Sequence, residues 1–472
     1  MVFSSETFVF LFLPLFLAVY YLTPVRFRSV TILVGSYAFY GWWRIDYLAL
    51  LFATTLWTYA FGRRIGTATS QKAARIYLTI GLTGCLAVLG VFKYLNFFIE
   101  SFATLWGTTA AGLGVHWRLI LPIGVSFYVF HAVSYLVDVY RKDAEATRRF
   151  FDFAAFIALF PQLVAGPILR FKDLTHQFAH RTHSLALFID GTILFAIGLA
   201  KKVLLADTVA PLANLAFGTD TPSLALSWLG AVGYMMQLYF DFSGYSDMAI
   251  GLGLMIGFHF RPNFDTPYIS RSITEFWRRW HISLSVWLRD YLYIPLGGNR
   301  LGKARTYVNL MLVMLLGGLW HGANMTFVLW GLWHGGWLAV ERATGRATGK
   351  TPAALGLTLV IVLLGWVMFR AADPVQAGGI YAGMLGLNGW ATPPSLALQI
   401  TRESLIFLTL AIFFAAYEPR LNRFAAAHLT PQGAALGWVN AVVPAVMMSL
   451  LATMTLMKMA EQSFSPFLYF QF

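Results

Sequence analysis

The run GGLWHGANMTFVLWGLWHGGW, residues 317–337, sets two imidazoles, His321 and His334, among glycines and apolar side chains. A third, His281, stands in EFWRRWHISLS, residues 275–285. A neutral imidazole carries one donor and one acceptor nitrogen, with an unperturbed pKa of roughly 6.5. Apolar surroundings disfavour its cation, so it stays neutral and is competent to take the proton of a hydroxyl as a general base. Around His321, Gly317, Gly318 and Gly322 remove side-chain bulk, which admits another backbone or a substrate. The same spacing also fits an imidazole that only hydrogen-bonds between helices, and the residues alone leave both readings open. His334 lies roughly 220° further around an unbroken helix at about 100° per residue. It is therefore expected on another face, in a structural or supporting role.

The carboxylates come next. QLYFDFSGYSDMAIG, residues 237–251, buries Asp241 and Asp247 among aromatic rings. A carboxylate at membrane depth costs about 2.5–3.5 kcal/mol and faces a cavity or a partner. Arginines of the 278–289 region could clamp these acids. Alternatively the stretch, with Tyr239, Asp241 and Ser243, forms a cavity wall that orients a substrate or a histidine. The chain has no G-x-S-x-G elbow, no H-E-x-x-H and no i, i+4 histidine pair, so neither a serine nucleophile nor a metal site is indicated. Its one cysteine, Cys85, excludes disulfides within the chain and cysteine-based zinc sites, and reads as an inert core thiol.

The elements that must position these groups follow from composition. The 472 residues are 58% hydrophobic and 12% charged, where a soluble domain carries roughly twice that charge. Too little polar surface remains to coat a globule, so lipid is the solvent for much of the chain: an all-α polytopic membrane protein. Apolar segments at 7–23, 28–44, 46–62, 76–96, 118–138, 151–168, 187–206, 224–242, 245–259, 306–321, 324–340, 353–370, 403–417 and 437–459 are candidate spans. Several are short or broken, which predicts about eleven crossings plus re-entrant or interfacial helices. Short loops leave no room for a separate soluble domain, so residues 1–472 read as one membrane-embedded domain. The breaks LPIGVSF, residues 121–127, and FPQLVAGPILR, residues 160–170, point to an irregular core around a cavity.

A net charge of +13 reflects basic loops held in the cytoplasm. One holds Arg63, Arg64, Lys72 and Arg75, another Arg141, Lys142, Arg148 and Arg149. No nucleic-acid-binding motif accompanies the charge. The start, MVFSSETFVFLFLPLFLAVYYL, lacks a basic n-region and reads as a retained first span, with Arg26 and Arg28 after it placing the N-terminus outside the cytoplasm. Between Arg261 and Arg305, Trp277, Trp280, His281, Leu284, Trp287, Leu288 and Tyr291 follow a helical period. They predict one amphipathic helix, at the interface or dipping into the membrane from the cytoplasmic side, in which Glu275 reaches Arg278 or Arg279. A plain interfacial anchor is the alternative.

Together, EFWRRWHISLSVWLRDYLYIPLGGNR and LGGLWHGANMTFVLWGLWHG resemble the membrane-bound O-acyltransferase family, most closely its alginate- and cellulose-acetylating branch. The likeness extends from MVFSSETFVFLFLP through YFDFSGYSDMAIGLG to SFSPFLYFQF. It implies a helical funnel in the inner membrane and transfer of acetyl groups from cytoplasmic acetyl-CoA toward an exopolysaccharide. The family's histidine falls on His321 and the upstream one on His281. The resemblance further implies that His321 deprotonates the acceptor while His281 orients it or stabilises developing charge. Trp277, Ser283, Trp287, Asp290 and Asn324 would line the funnel, and Arg278, Arg279 and Arg289 would attract the anionic donor. Tyr469, in the tail that follows Pro466, is a candidate acyl relay; an aromatic anchor is the other reading of that tail. Expected partners are membrane lipid, a periplasmic SGNH-hydrolase-like acetyltransferase and the polysaccharide synthesis or secretion complex. Two competing readings are a transporter or flippase without covalent chemistry, weakened by the absence of an internal repeat, and an acyltransferase for peptidoglycan or teichoic acid.

Overall fold

The computed structural model describes residues 1–164, 166–345, 351–428, 437–461 and 468, the side chains of 179 and 421–443 excepted, and among them every regular element is a helix. The chain divides into two compact units, Met1–Thr192 with Ala249–Arg261, and Ile193–Met248 with Pro262–Phe472.

The first unit holds α1 (Leu13–Leu22), α2 (Arg28–Gly41), α3 (Asp46–Gly66), α4 (Gln71–Leu89), α5 (Leu95–Leu105), α6 (Val125–Arg141), α7 (Phe150–Ala158), α8 (Phe160–Leu163) and α9 (Phe171–Ala179). The division falls inside α10 (Leu185–Ala200) and α12 (Leu224–Met255). The second unit adds α11 (Asp207–Phe217), α13 (Ile273–Arg279), α14 (Ile282–Leu288), α15 (Lys303–His321), α16 (Met325–Thr344), α17 (Pro352–Arg370), α18 (Pro374–Met384), α19 (Pro394–Ala397), α20 (Arg402–His428) and α21 (Gly437–Glu461). Local chemistry sets several starts: Ser70, Ser272, Asn324, Thr351 and Asp373 each accept a backbone N–H of the first turn with the side chain. Two helical stretches among the described residues, Gln71–Leu105 and Pro352–Arg370, are long and apolar enough to cross a membrane.

Most apolar segments fold as helices near their expected places; the segment 151–168 is instead split at Leu159 into α7 and α8, and three further departures stand out. The segments 224–242 and 245–259 form one helix, α12, because Ser243 and Gly244 between them do not interrupt the backbone hydrogen bonding. Helix α6 starts only at Val125, since Gly124 takes φ +74° and packs so closely on the Leu163 carbonyl that a Cβ would lie 2.4 Å from it. The helix expected through residues 277–291 is broken at Trp280 and His281. Trp280 is extended and His281 is left-handed, at φ +45° and ψ +54°. Of the residues in the predicted period, Leu284, Trp287 and Leu288 share the buried side of α14, Trp277 alone lies in α13, and α13 and α14 are separate helices. Cys85 is buried, with its Sγ 3.6 Å from the Thr58 hydroxyl, as a core thiol should be.

In the second unit α15 and α16 form a close antiparallel hairpin. A Cβ on Gly318 would sit 2.2 Å from the Phe327 carbonyl oxygen, and one on Gly331 would sit 2.5 Å from that of Met314 and 2.9 Å from Leu315 Cα. These glycines are filled by the facing backbone. Gly331→Ala is therefore expected to force the helices apart and cost about 1–3 kcal/mol, read as a lower Tm in detergent. Gly336→Ala, whose methyl would meet nothing within 4 Å, is expected to leave Tm unchanged or slightly higher.

Candidate active site

His321 is the last residue of α15, and Gly322 then turns to extended backbone before Asn324 caps α16. The helix is thus not continuous from His321 to His334, and the angle drawn from continuity does not apply. Three rings hold the buried His321 imidazole edge-on: Trp320 at 5.0 Å, Trp330 at 5.3 Å and Phe369 at 5.1 Å between centroids. Edge-to-face contacts of this kind fix ring orientation as well as burying area. The bulk-free space predicted around His321 is taken by protein. Phe327 fills the positions a side chain on Gly318 or Gly322 would need, and Leu288 approaches Gly317.

His281 comes from the break between α13 and α14, and its ring centroid lies 6.3 Å from that of His321. Its left-handed backbone turns the side chain inward, where Phe242 of α12 meets it edge-on at 4.7 Å. Asn263 organises this corner. Its Oδ1 accepts from the Ser283 backbone N–H at 3.1 Å and from the Ser283 hydroxyl at 2.8 Å, and faces His281 Nδ1 at 3.3 Å. A backbone N–H only donates, so the facing atom is the amide oxygen, and Nδ1 of His281 must carry the proton. That leaves Nε2 as the lone-pair nitrogen, buried and with no hydrogen-bond partner among the described residues. Asn263 was not singled out in the sequence; its signal was an amide within RPNFDTP, surrounded by Pro and aromatic residues.

His334 is fully buried beside Trp277 at 5.3 Å and Trp330 at 5.0 Å. Trp330 therefore contacts both α15–α16 imidazoles, and neither ring nitrogen of His334 has a hydrogen-bond partner among the described residues.

The carboxylates have partners other than those expected. Asp241 lies 2.7 Å from Lys202, which also bonds Asp207 at 2.6 Å. Asp247 and Glu418 each lie 3.0 Å from Lys201, and the Tyr239 hydroxyl donates to Glu418 at 2.8 Å. The clamp is built from lysines, because the π-helical turn Lys201–Ala206 brings both beside α12, and not from the 278–289 arginines. The other oxygen of Asp241 accepts the backbone N–H of the buried Leu468 at 3.0 Å. The Ser243 hydroxyl is buried without a partner among the described residues. Tyr469 lies outside the described residues.

Other predicted residues divide by exposure. Arg279 is committed to Glu275 at 3.0 Å and Asp265 at 3.1 Å, and Arg289 to Asp290 at 2.7 Å. Arg278 is exposed and forms no ion pair among the described residues. Trp287 is buried, its ring tilted against that of Tyr291 at 5.2 Å between centroids. Asn324 caps α16 and donates to the Ala372 carbonyl at 2.6 Å. Glu341, also unforeseen, accepts the backbone N–H groups of Ile273 and Thr274 and so pins the start of α13 to α16. Among the described residues no cluster of His, Cys, Asp and Glu suited to a metal ion is present.

Buried imidazoles in an aromatic wall, one with a free lone pair and a set tautomer, suit proton transfer in a group-transfer reaction. Comparison with known proteins gives the class of reaction, group transfer. The membrane-bound O-acyltransferase family matches residues 116–357. The chain is 49% identical to the probable alginate O-acetylase AlgI of Pseudomonas putida, and 50% identical to that of Azotobacter vinelandii, covering 100% of both chains in each case. It is 36% identical to the peptidoglycan O-acetyltransferase of Helicobacter pylori, over 82% of this chain and 80% of that one. The chain belongs to the membrane-bound O-acyltransferase family. It is a membrane protein and an O-acyltransferase, and the transporter reading gives way to the enzyme.

Losing one partner of the buried Lys202–Asp241 pair leaves an uncompensated charge, which costs about 3–5 kcal/mol. Lys202→Met and Asp241→Asn are each expected to lower Tm sharply, whereas the double variant is expected to lose less than the sum, a coupling that a double-mutant cycle measures.

Proposed function

We propose that this protein transfers acetyl groups from cytoplasmic acetyl-CoA, across the inner membrane, to a hydroxyl of an exopolysaccharide pathway, with alginate the favoured polymer. The observation that carries the reading is the convergence of His281 and His321, buried and 6.3 Å apart between ring centroids. The choice of polymer leans on full-length relatives named as probable alginate O-acetylases. Peptidoglycan is the second acceptor to consider, since the Helicobacter pylori relative acts there by name. We treat residues 1–472 as one acyltransferase domain with about eleven crossings.

A thioester carbonyl is already activated, so the protein must align donor and acceptor and manage one proton. His321 accepts the hydroxyl proton as the oxygen attacks the thioester carbon. The C–O bond forms, a tetrahedral oxyanion develops, and it collapses by breaking the C–S bond. The departing thiolate then takes the proton back from the imidazolium, leaving an ester and free CoA. His281 supports the acceptor through its Nε2 lone pair, with Asn263 maintaining the tautomer. Tyr239, Asp241, Ser243, Trp277, Ser283, Trp287, Asp290 and Asn324 contribute the wall of the funnel. Arg278 is the best placed of the three arginines to meet an anionic donor, since Arg279 and Arg289 are already paired. No metal is required for any of these steps.

The tail adds a second stage to the proposal. Tyr469 follows directly on Leu468, whose N–H is tied to Asp241. Its phenol is the candidate to take the acetyl group and pass it on. A periplasmic SGNH-hydrolase-like partner then completes transfer to the polymer within a synthesis or secretion complex.

With radiolabelled acetyl-CoA and purified protein, His321→Ala is expected to slow thioester consumption by at least about a hundredfold. Turnover that survives the substitution would remove His321 from the chemistry. Tyr469→Phe is expected to abolish polymer acetylation in cells while Tm stays near wild type; undiminished acetylation would rule out the relay and leave the tail as an anchor.

A further inference from the structure

The first unit contains a cavity of about 790 Å³, where the C-terminal end of α3, the N-terminal end of α4 and the C-terminal end of α6 meet the segment 144–148. Its charged lining is Arg63, Lys142, Arg148 and a single acid, Glu145. None of the three cations forms an ion pair among the described residues. Arg63 donates to the Ala146 carbonyl at 3.2 Å, which shapes the rim. Lys142 sits in the left-handed region at φ +64°, a conformation uncommon outside glycine. Gln71 donates to the Tyr140 hydroxyl at 2.9 Å on the polar wall.

Three unpaired cations around one hollow repel each other, and an anion in the hollow relieves that repulsion. The depth of the cavity indicates which anion. Helix α4 opens the stretch Gln71–Leu105, long and apolar enough to cross a bilayer, with only 22% of an apolar 18-residue window in it buried within the protein. The start of that stretch marks the level at which acyl chains give way to headgroups. Basic residues gather on the cytoplasmic side, whose leaflet carries anionic lipids, and basic pockets between spans there bind phosphate headgroups. Orientation alone would not require a cavity: Arg64, Lys72 and Arg75 satisfy it from outside the lining.

We propose that this cavity binds the phosphate headgroup of an anionic phospholipid of the cytoplasmic leaflet, between Arg63, Lys142 and Arg148. The inference rests on α4 as a membrane span and is independent of the acetyl-transfer reading. Its volume lies in the range of roughly 300–1,000 Å³ usual for small-ligand sites.

The test is native mass spectrometry of the purified full chain, titrated with phosphatidylglycerol or phosphatidylcholine after delipidation. Saturable retention of phosphatidylglycerol, and not of phosphatidylcholine, is expected. Lys142→Gln/Arg148→Gln keeps the Arg63 contact and is expected to weaken retention about 25-fold, roughly fivefold per cation. Arg64→Gln/Lys72→Gln/Arg75→Gln removes more charge outside the cavity and is expected to leave retention unchanged. Equal retention of both lipids, or equal loss in the outer triple variant, would overturn the site. Competition by CoA that displaces the lipid, and is lost in the double variant, would overturn the lipid and assign the cavity to a soluble phosphate. If the double variant has a lowered Tm, Lys142→Arg/Arg148→Lys decides: retained phosphatidylglycerol supports the site and lost retention refutes it. Because all readouts are binding, they are unchanged in His321→Ala, so failure here and failure of the catalytic reading are separable.

Discussion

In a lipid solvent a buried charge has no water to fall back on, and the second unit is organised around how it meets that constraint. Lys201 and Lys202 stand side by side in sequence but answer different acids: Lys201 pairs with Asp247 and Glu418, Lys202 with Asp207 and Asp241. Asp241 and Asp247 are six residues apart, which on a helix separates them by about 240° at 100° per residue. Each lysine thus grips its own flank of α12. Attraction between such pairs is strong in a low dielectric, and so is the penalty for leaving one member alone. Adjacent to Asp241, Phe242 is held where its ring meets His281. The ion pairs and the imidazole corner are therefore consecutive links of one chain of contacts.

The site also depends on places where regular structure stops. His281 occupies a left-handed backbone position between two short helices, and His321 sits where α15 ends. Strained or terminal positions free a side chain from the helical lattice and let it be aimed. They persist only if neighbours hold them. Asn263 does so for His281 by bonding the next helix through Ser283, and Glu341 fixes the start of α13. Trp330 does so for His321, with Phe369 and Trp320 on other sides. The glycines of α15 and α16 let two backbones approach, so that these rings can converge without a gap between the helices.

Two places in the chain treat positive charge differently, although ion pairs such as Lys172–Asp143 occur in the first unit as well. Beside α12, the half-buried Lys201 and the buried Lys202 are neutralised inside the chain. In the first unit, Arg63, Lys142 and Arg148 surround a hollow and have no acidic partner among the described residues. The same residue types thus serve internal cohesion in one place and an external anion in the other, according to whether a carboxylate is within reach.

Much was legible before any coordinates. Hydropathy and composition determined an all-helical membrane protein, and the segments flanking His281 and His321 carried the family likeness. The i, i+4 reach of Glu275 to Arg279 was also readable, since it depends only on local period. What the sequence could not supply was pairing at long range. Nothing in spacing links Lys202 to Asp241 or Asn263 to Ser283, and a helical period continues through residues 280–281 although the backbone does not. Local order follows from neighbours three and four residues away, so a single chain encodes it openly. Which buried polar group finds which partner is decided only when distant segments fold together, because that choice depends on distance and desolvation in three dimensions.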